Sequence, residues 1–118
     1  MTQRGDVVIA RFPYAGGAGS KVRPAVVVQC DRLNGQIQNT ILVMITGNLK
    51  LVGTEPTQFL IDPTSPEGAS SGLTYASAVK CENLMTVPQS DIEKTVGHLS
   101  TPLKQKLNDA LKASLELP

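Results

Sequence analysis

The sequence predicts a mainly β (α+β) protein, a small SH3-like barrel with one C-terminal α-helix, on three observations. Short β-branched and apolar runs alternate with connections rich in glycine, proline and asparagine. Helical spacing appears only near the end, where Leu103, Leu107, Ala110, Leu111 and Leu115 form one apolar stripe. The 118 residues, 41% hydrophobic and 18% charged, suit one domain over 1–118 with one core. An open α+β sheet would write a similar pattern.

Taken in order, Val7 to Phe12 is bounded by Gly5-Asp6 and Pro13, and its β-branched content favours a strand. Tyr14 to Lys21, with Gly16, Gly17 and Gly19, reads as a loop. Pro24 to Cys30 carries Val26-Val27-Val28 and reads as a largely buried strand, with Pro24 at its first position. Asn34-Gly35 suits a tight turn, followed by a strand over Ile41 to Thr46 and a weaker one over Gln58 to Ile61. Asp62 to Gly72, with two prolines and three serines, reads as an exposed loop.

Beyond it, Ser77 to Glu82 alternates, which sends Val79 and Cys81 to one face and Ala78, Lys80 and Glu82 outward on the other. Met85 to Val87 is a last short strand ending at Pro88, and Ser90 to Lys94 suits a single helical turn. The final helix is expected from about Pro102 to Leu115, with Ser100 or Thr101 capping its free amides and Pro102 in the first turn.

Composition removes several classes of function. No apolar run approaches the roughly 20 residues of a membrane helix, and Met1 to Arg11 lacks a signal-peptide pattern, so a cytoplasmic protein is expected. Cys30 and Cys81 have no neighbours at metal-ligand spacing and read as reduced thiols in or near strands. There is no phosphate loop, HExxH, paired CxxC or GxSxG elbow, so no metal site or cofactor is expected. His98 is the only histidine, which excludes a nuclease built on two histidines; beside Leu99 it reads as structural. Net charge is only +1, so any charge that binds nucleic acid must be local.

Four residues could carry chemistry. Proline restricts the residue before it to extended geometry, so Arg23 is held where the glycine loop enters a strand. It reads either as a fork of donors for a phosphate or as a solvated loop cation. Thr46 ends an apolar strand before Gly47-Asn48, and its hydroxyl either meets a ligand at the strand terminus or bonds to nearby backbone. Lys80 and Glu82 share a face, as a functional pair or as a solvated one.

In this order, Gly5-Asp6-Val7-Val8, the small-residue loop into Val22-Arg23-Pro24-Ala25-Val26-Val27-Val28, the strand ending at Ile45-Thr46 and the Glu82-to-Val87 segment resemble the MazF/PemK family of toxin endoribonucleases. The resemblance implies an SH3-like barrel working as a homodimer that cleaves single-stranded RNA, often messenger RNA at short preferred sequences, without a metal. A cognate antitoxin would neutralise it. It further implies that Arg23 and Thr46 are the active pair and that Lys80-Cys81-Glu82 matches a basic-Cys-acidic segment of some members, with Glu82 as candidate base. RNA contacts are then expected from Ser20, Lys21, Asn48 and Lys80. Lysine and glutamate stand where those members have arginine and aspartate, and Gly19-Ser20-Lys21 lacks the acidic and amide residues of many relatives, so base preference does not carry over.

The implied mechanism is attack by the RNA's own 2′-hydroxyl on the adjacent phosphate, which the protein assists by orienting the chain and neutralising charge. Arginine's pKa above about 12 favours electrostatic stabilisation over proton shuttling for Arg23. Two readings compete. A non-enzymatic toxin of the CcdB kind would bind and poison DNA gyrase, and an SH3-like adaptor would need an aromatic groove that Phe12, Tyr14, Phe59 and Tyr75 scarcely supply.

Overall fold

The computed structural model describes residues 2–13 and 16–118. Strands β1 (Asp6–Pro13), β2 (Ser20–Val27), β3 (Asn39–Thr46), β4 (Gln58–Ile61), β5 (Ser77–Pro88) and β6 (Ile92–His98) form one six-stranded antiparallel sheet in the order β4-β5-β3-β2-β1-β6. Two helices accompany it, the single turn α1 (Asp31–Asn34) and the long α2 (Thr101–Leu115).

Alternation along the strands gives the sheet two apolar faces. One bears Val7, Val26, Val43, Phe59 and Val79, and α2 covers it with Leu103, Leu107 and Ala110. The other bears Val8, Ala10, Phe12, Ala25, Val27, Leu42 and Val87. No long helix covers that second face, yet Val8, Ala25, Val27 and Leu42 have no exposed surface. The sheet buries them by curling on itself, so that Met85 of β5, next to one edge of the strand order, and Ile92 of β6, the other edge, pack on the same cluster. Each such side chain contributes roughly 1.5–3 kcal/mol of transfer free energy. The curl is the SH3-like feature expected from the sequence, while β4 and β6 remain edges that no ladder joins among the described residues.

Several local expectations give way to tertiary context. Asn34-Gly35 forms no hairpin turn: Asn34 ends α1, and Gly35 caps it at a right-handed φ of −85°. Buried Asn34 instead accepts hydrogen bonds from Gln29 Nε2 at 2.9 Å and Thr40 Oγ1 at 2.7 Å, and donates to the Gln29 carbonyl at 3.0 Å, tying the segment after β2 to β3. The loop expected over Tyr14 to Lys21 begins outside the described residues, and its end belongs to β2, which starts at Ser20 and pairs with Pro13. Pro24 is therefore in mid-strand, opposite Ile9.

The helical turn expected over Ser90 to Lys94 is a 3-10 turn at Gln89–Asp91 that leads into β6. Asp62 to Gly72 is largely a surface connection, but Ser71 is buried and Gly72 has φ 75°, where a Cβ would meet the Val96 carbonyl oxygen at 2.1 Å. Helix α2 ends as expected at Leu115, which is 52% exposed, off the buried stripe. Ser100 is its N-cap, yet the hydroxyl donates to the Glu67 carbonyl at 2.7 Å instead of capping the helix amides.

The two strands expected over Ser77 to Glu82 and Met85 to Val87 are halves of β5. Met44 pairs with Lys80 and Val43 with Leu84, so Cys81, Glu82 and Asn83 bulge out between two ladders. Ala78, expected to face outward, is fully buried against Leu60 and Thr46. Cys81 fills the helix-covered core, and Cys30, by contrast, is exposed beside α1. His98 ends β6 opposite Asp6 and is exposed.

Candidate active site

The site begins where a ladder stops. Strands β2 and β3 pair as Val27 with Leu42, Val26 with Val43 and Ala25 with Met44. Continued in that register, Pro24 would meet Ile45 and Arg23 would meet Thr46. Pro24 has no N–H to donate, and pairing ends there while β2 stays paired with β1 out to Ser20. The opened end of the sheet is a groove of about 300 Å³ lined by Arg23, Met44, Ile45, Thr46, Lys80 and Asn83.

Register explains the company. Arg23 pairs with Ala10, and Lys80 with both Met44 and Gln58, so these side chains share the face opposite α2. The structure thus brings together Arg23, Thr46 and Lys80. Among the described residues no hydrogen bond or ion pair engages the Arg23 guanidinium or the Lys80 ammonium. Two cations without a partner among the described residues thus concentrate positive charge on one wall of a chain of net charge +1. Thr46 Oγ1 accepts a hydrogen bond from the Asn48 amide at 3.2 Å, which leaves its own proton free to donate. The backbone-bonding reading of Thr46 is realised, and the hydroxyl also lines the groove.

A second, smaller cavity of about 80 Å³ shares Thr46 and Lys80 with the first and adds Asn48, Leu51 and Gln58. Asn48 Oδ1 accepts from the Lys50 amide at 3.0 Å, so its amino group is the free end. Gln58 and Asn83 are groove residues that sequence reasoning passed over: Gln58 looked like part of a weak strand, and Asn83 reaches the groove only through the bulge.

The other expected site residues lie apart from this wall. Glu82 lines neither cavity and reaches the smaller one only through Gln58: Oε2 accepts from Gln58 Nε2 at 2.7 Å, and Oε1 lies 3.3 Å from Thr57 Oγ1. Ser20 and Lys21 sit further along β2, opposite Pro13 and Phe12, and Ser20 Oγ accepts from Arg11 at 3.2 Å. Arg11 also pairs with Glu93 on β6. Burial, with a smaller contribution from the Glu82 charge, pushes the Cys81 thiol up to about 12, which keeps it protonated and unreactive near neutrality.

Among the described residues no group of three His, Cys, Asp or Glu side chains could hold a metal ion, and no helix is long and apolar enough to cross a membrane.

The chain is similar over its whole length to proteins of known activity. It is 28% identical over 118 residues to endoribonuclease EndoA of Bacillus subtilis, covering 99% of this chain and 97% of the relative. It is 27% identical to endoribonuclease MazF of Staphylococcus saprophyticus, covering 99% and 93%. Its fold matches that of a mycobacterial endoribonuclease solved with its cognate antitoxin, at a TM-score of 0.79 and 22% identity over 100% of this chain and 98% of the other. Residues 3–115 match the family described as PemK-like, MazF-like toxin of type II toxin-antitoxin system, and the chain belongs to that family.

Proposed function

We propose that this protein is a toxin endoribonuclease that cleaves single-stranded RNA, messenger RNA included, at preferred sequences in the cytoplasm, and that a cognate antitoxin neutralises it. Whole-length similarity to two named endoribonucleases supports the activity, and the fold shared with a toxin solved beside its antitoxin supports the partner. The single observation that carries the chemistry is the opened sheet end, where Arg23, Thr46 and Lys80 line one groove.

A phosphodiester in that groove would lie between two cations and a hydroxyl donor. In this reading the RNA 2′-oxygen attacks the phosphorus, the bond to the 5′-oxygen breaks, and a 2′,3′-cyclic phosphate and a free 5′-hydroxyl result. The 2′-hydroxyl proton passes to a base, and the leaving 5′-oxygen takes up a proton. Arg23 holds the growing negative charge with its fixed fork of donors, Thr46 donates to a non-bridging oxygen, and Lys80 draws the backbone in. No metal is needed, because the charge to be neutralised is met by side chains. Glu82 can serve as base only where one of the hydrogen bonds on its carboxylate is released. Ser20, Lys21 and Asn48 extend the RNA path on either side. The active form is proposed to be a homodimer, by analogy with the family.

The test is incubation of the purified protein with end-labelled single-stranded RNA in excess chelator. Discrete products carrying cyclic phosphate and 5′-hydroxyl ends are expected. Intact RNA would sink the ribonuclease reading and leave the gyrase-poisoning alternative, which needs no paired cation and hydroxyl. Activity that appears only when divalent metal is restored would sink the metal-independent mechanism alone.

A further inference from the structure

Resting on the ribonuclease reading, we infer that Gln58 is a base-reading residue: its side-chain carbonyl, aimed by Glu82, accepts a hydrogen bond from the amino group of a nucleobase beside the scissile phosphate. The argument starts from a carboxylate. An ionised Glu82 only accepts hydrogen bonds, so the Gln58 atom 2.7 Å from it must be the amide nitrogen. Thr57 Oγ1 lies 3.3 Å from the other carboxylate oxygen but shares its single proton with the nearer Glu55 carboxylate at 2.9 Å, so the Gln58 amide is the main hydrogen bond on Glu82.

The orientation of the Gln58 amide is thereby settled, and Oε1 is left as the free acceptor: among the described residues no donor reaches it. Gln58 is 8% exposed, so its amide has little freedom to rotate away from this arrangement. Its side chain lines the small cavity whose other walls, Thr46 and Lys80, belong to the phosphate groove. A base that follows its phosphate into the groove therefore brings one edge to Gln58.

The surroundings complete a pattern. Asn48, whose amino group has no partner among the described residues, and Lys80 line the same cavity, with Leu51 as an apolar wall. One acceptor flanked by donors complements an edge with an exocyclic amine next to a ring nitrogen, as adenine and cytosine carry. A desolvated acceptor left unpaired by a base lacking that amine is what makes the rejection effective. Glu82 acts here as a positioning residue, through Gln58 and not on the RNA.

The experiment uses an oligoribonucleotide spanning a mapped cleavage site. Each adenosine or cytidine near the scissile phosphate is replaced in turn by its analogue without the amino group, purine riboside or 2-pyrimidinone riboside. With the wild-type protein, loss of the amine at one position adjoining the scissile phosphate should slow cleavage about tenfold. In Gln58→Leu, that penalty should shrink to near onefold.

Glu82→Gln, which removes the constraint on the amide, should also shrink it and provides the reading should Gln58→Leu not fold. No slowing at any position, or a penalty that persists undiminished in the folded variants, overturns the inference. A uniform loss in Glu82→Gln on all substrates with an unchanged ratio would mark Glu82 as the base and overturn its positioning role. A wild-type protein that cleaves no RNA overturns the ribonuclease reading itself, and with it this inference.

Discussion

The two apolar faces of the sheet end differently, and the difference separates what holds the molecule together from what it does. On the helix-covered face, Val43, Val79 and Leu107 leave no surface exposed, and complementary packing decides every contact. On the other face the apolar cluster stops at Ala25 and Met44, and polar side chains take over, Arg23 and Lys80 having no partner among the described residues. Strands β2, β3 and β5 serve both. Rigidity comes from the closed face, and the open end spends none of its cations on internal pairing.

The sharpest way to break that division is Arg23→Ala. Removal of one preorganised donor should lower cleavage on the order of 100- to 1000-fold. The thermal midpoint should hardly move, since Arg23 is exposed. Full cleavage by the folded variant would remove Arg23 from the reaction. The reciprocal change is Leu107→Ala on the closed face, expected to cost about 3 kcal/mol in urea unfolding through lost burial and a residual cavity. At low temperature its cleavage rate per folded molecule should match that of wild type; a large drop would mean that the two regions are coupled.

Pro24→Ala tests the boundary itself. With an N–H restored, β2 and β3 can zip further toward Arg23 and Thr46, and the narrowed groove should cut cleavage about tenfold with stability unchanged or raised. A rate equal to wild type would show that proline is not what stops the ladder. Lys80→Ala should act mainly on binding, lowering the salt slope of log K for a single-stranded oligonucleotide by about 0.7. An unchanged slope would take Lys80 off the phosphate path.

The smallest effect belongs to Cys81. Its folded pKa of about 12 lies above the ordinary thiol value of 9.0, so the folded state holds the proton more tightly. The associated stability is fully present below about pH 9 and falls as pH rises from there toward 12. Unfolding curves across that window should show the decline, and Cys81→Ala should flatten part of it.

Much of this was written in the sequence, for identifiable reasons. Val7 to Phe12, Ile41 to Thr46 and the stripe from Leu103 to Leu111 carry their periods locally, and the strands and helix appear where expected. Strand β6 was hidden because Glu93, Lys94 and Thr95 are exposed on an edge, so no alternating apolar pattern betrays them. The bulge at Cys81 to Asn83 is a property of pairing with β3, which no residue in β5 announces. Arg23 and Thr46 were legible as candidates, whereas their meeting depends on where a ladder ends. Gln58 was illegible for a similar reason: its amide has meaning only once Glu82 is placed beside it.

The interruption in β5 also bears on how such a protein can change over generations. Lys80 and Leu84 anchor the two ladders, and the three residues between them answer to neither. Cys81 is constrained by the space it fills, whereas Glu82 and Asn83 have no pairing partner on β3, and Glu82 is tied instead to the buried Gln58 amide. On the base-reading proposal, a change at Glu82 would alter which transcripts are cut while the strand framework stays the same.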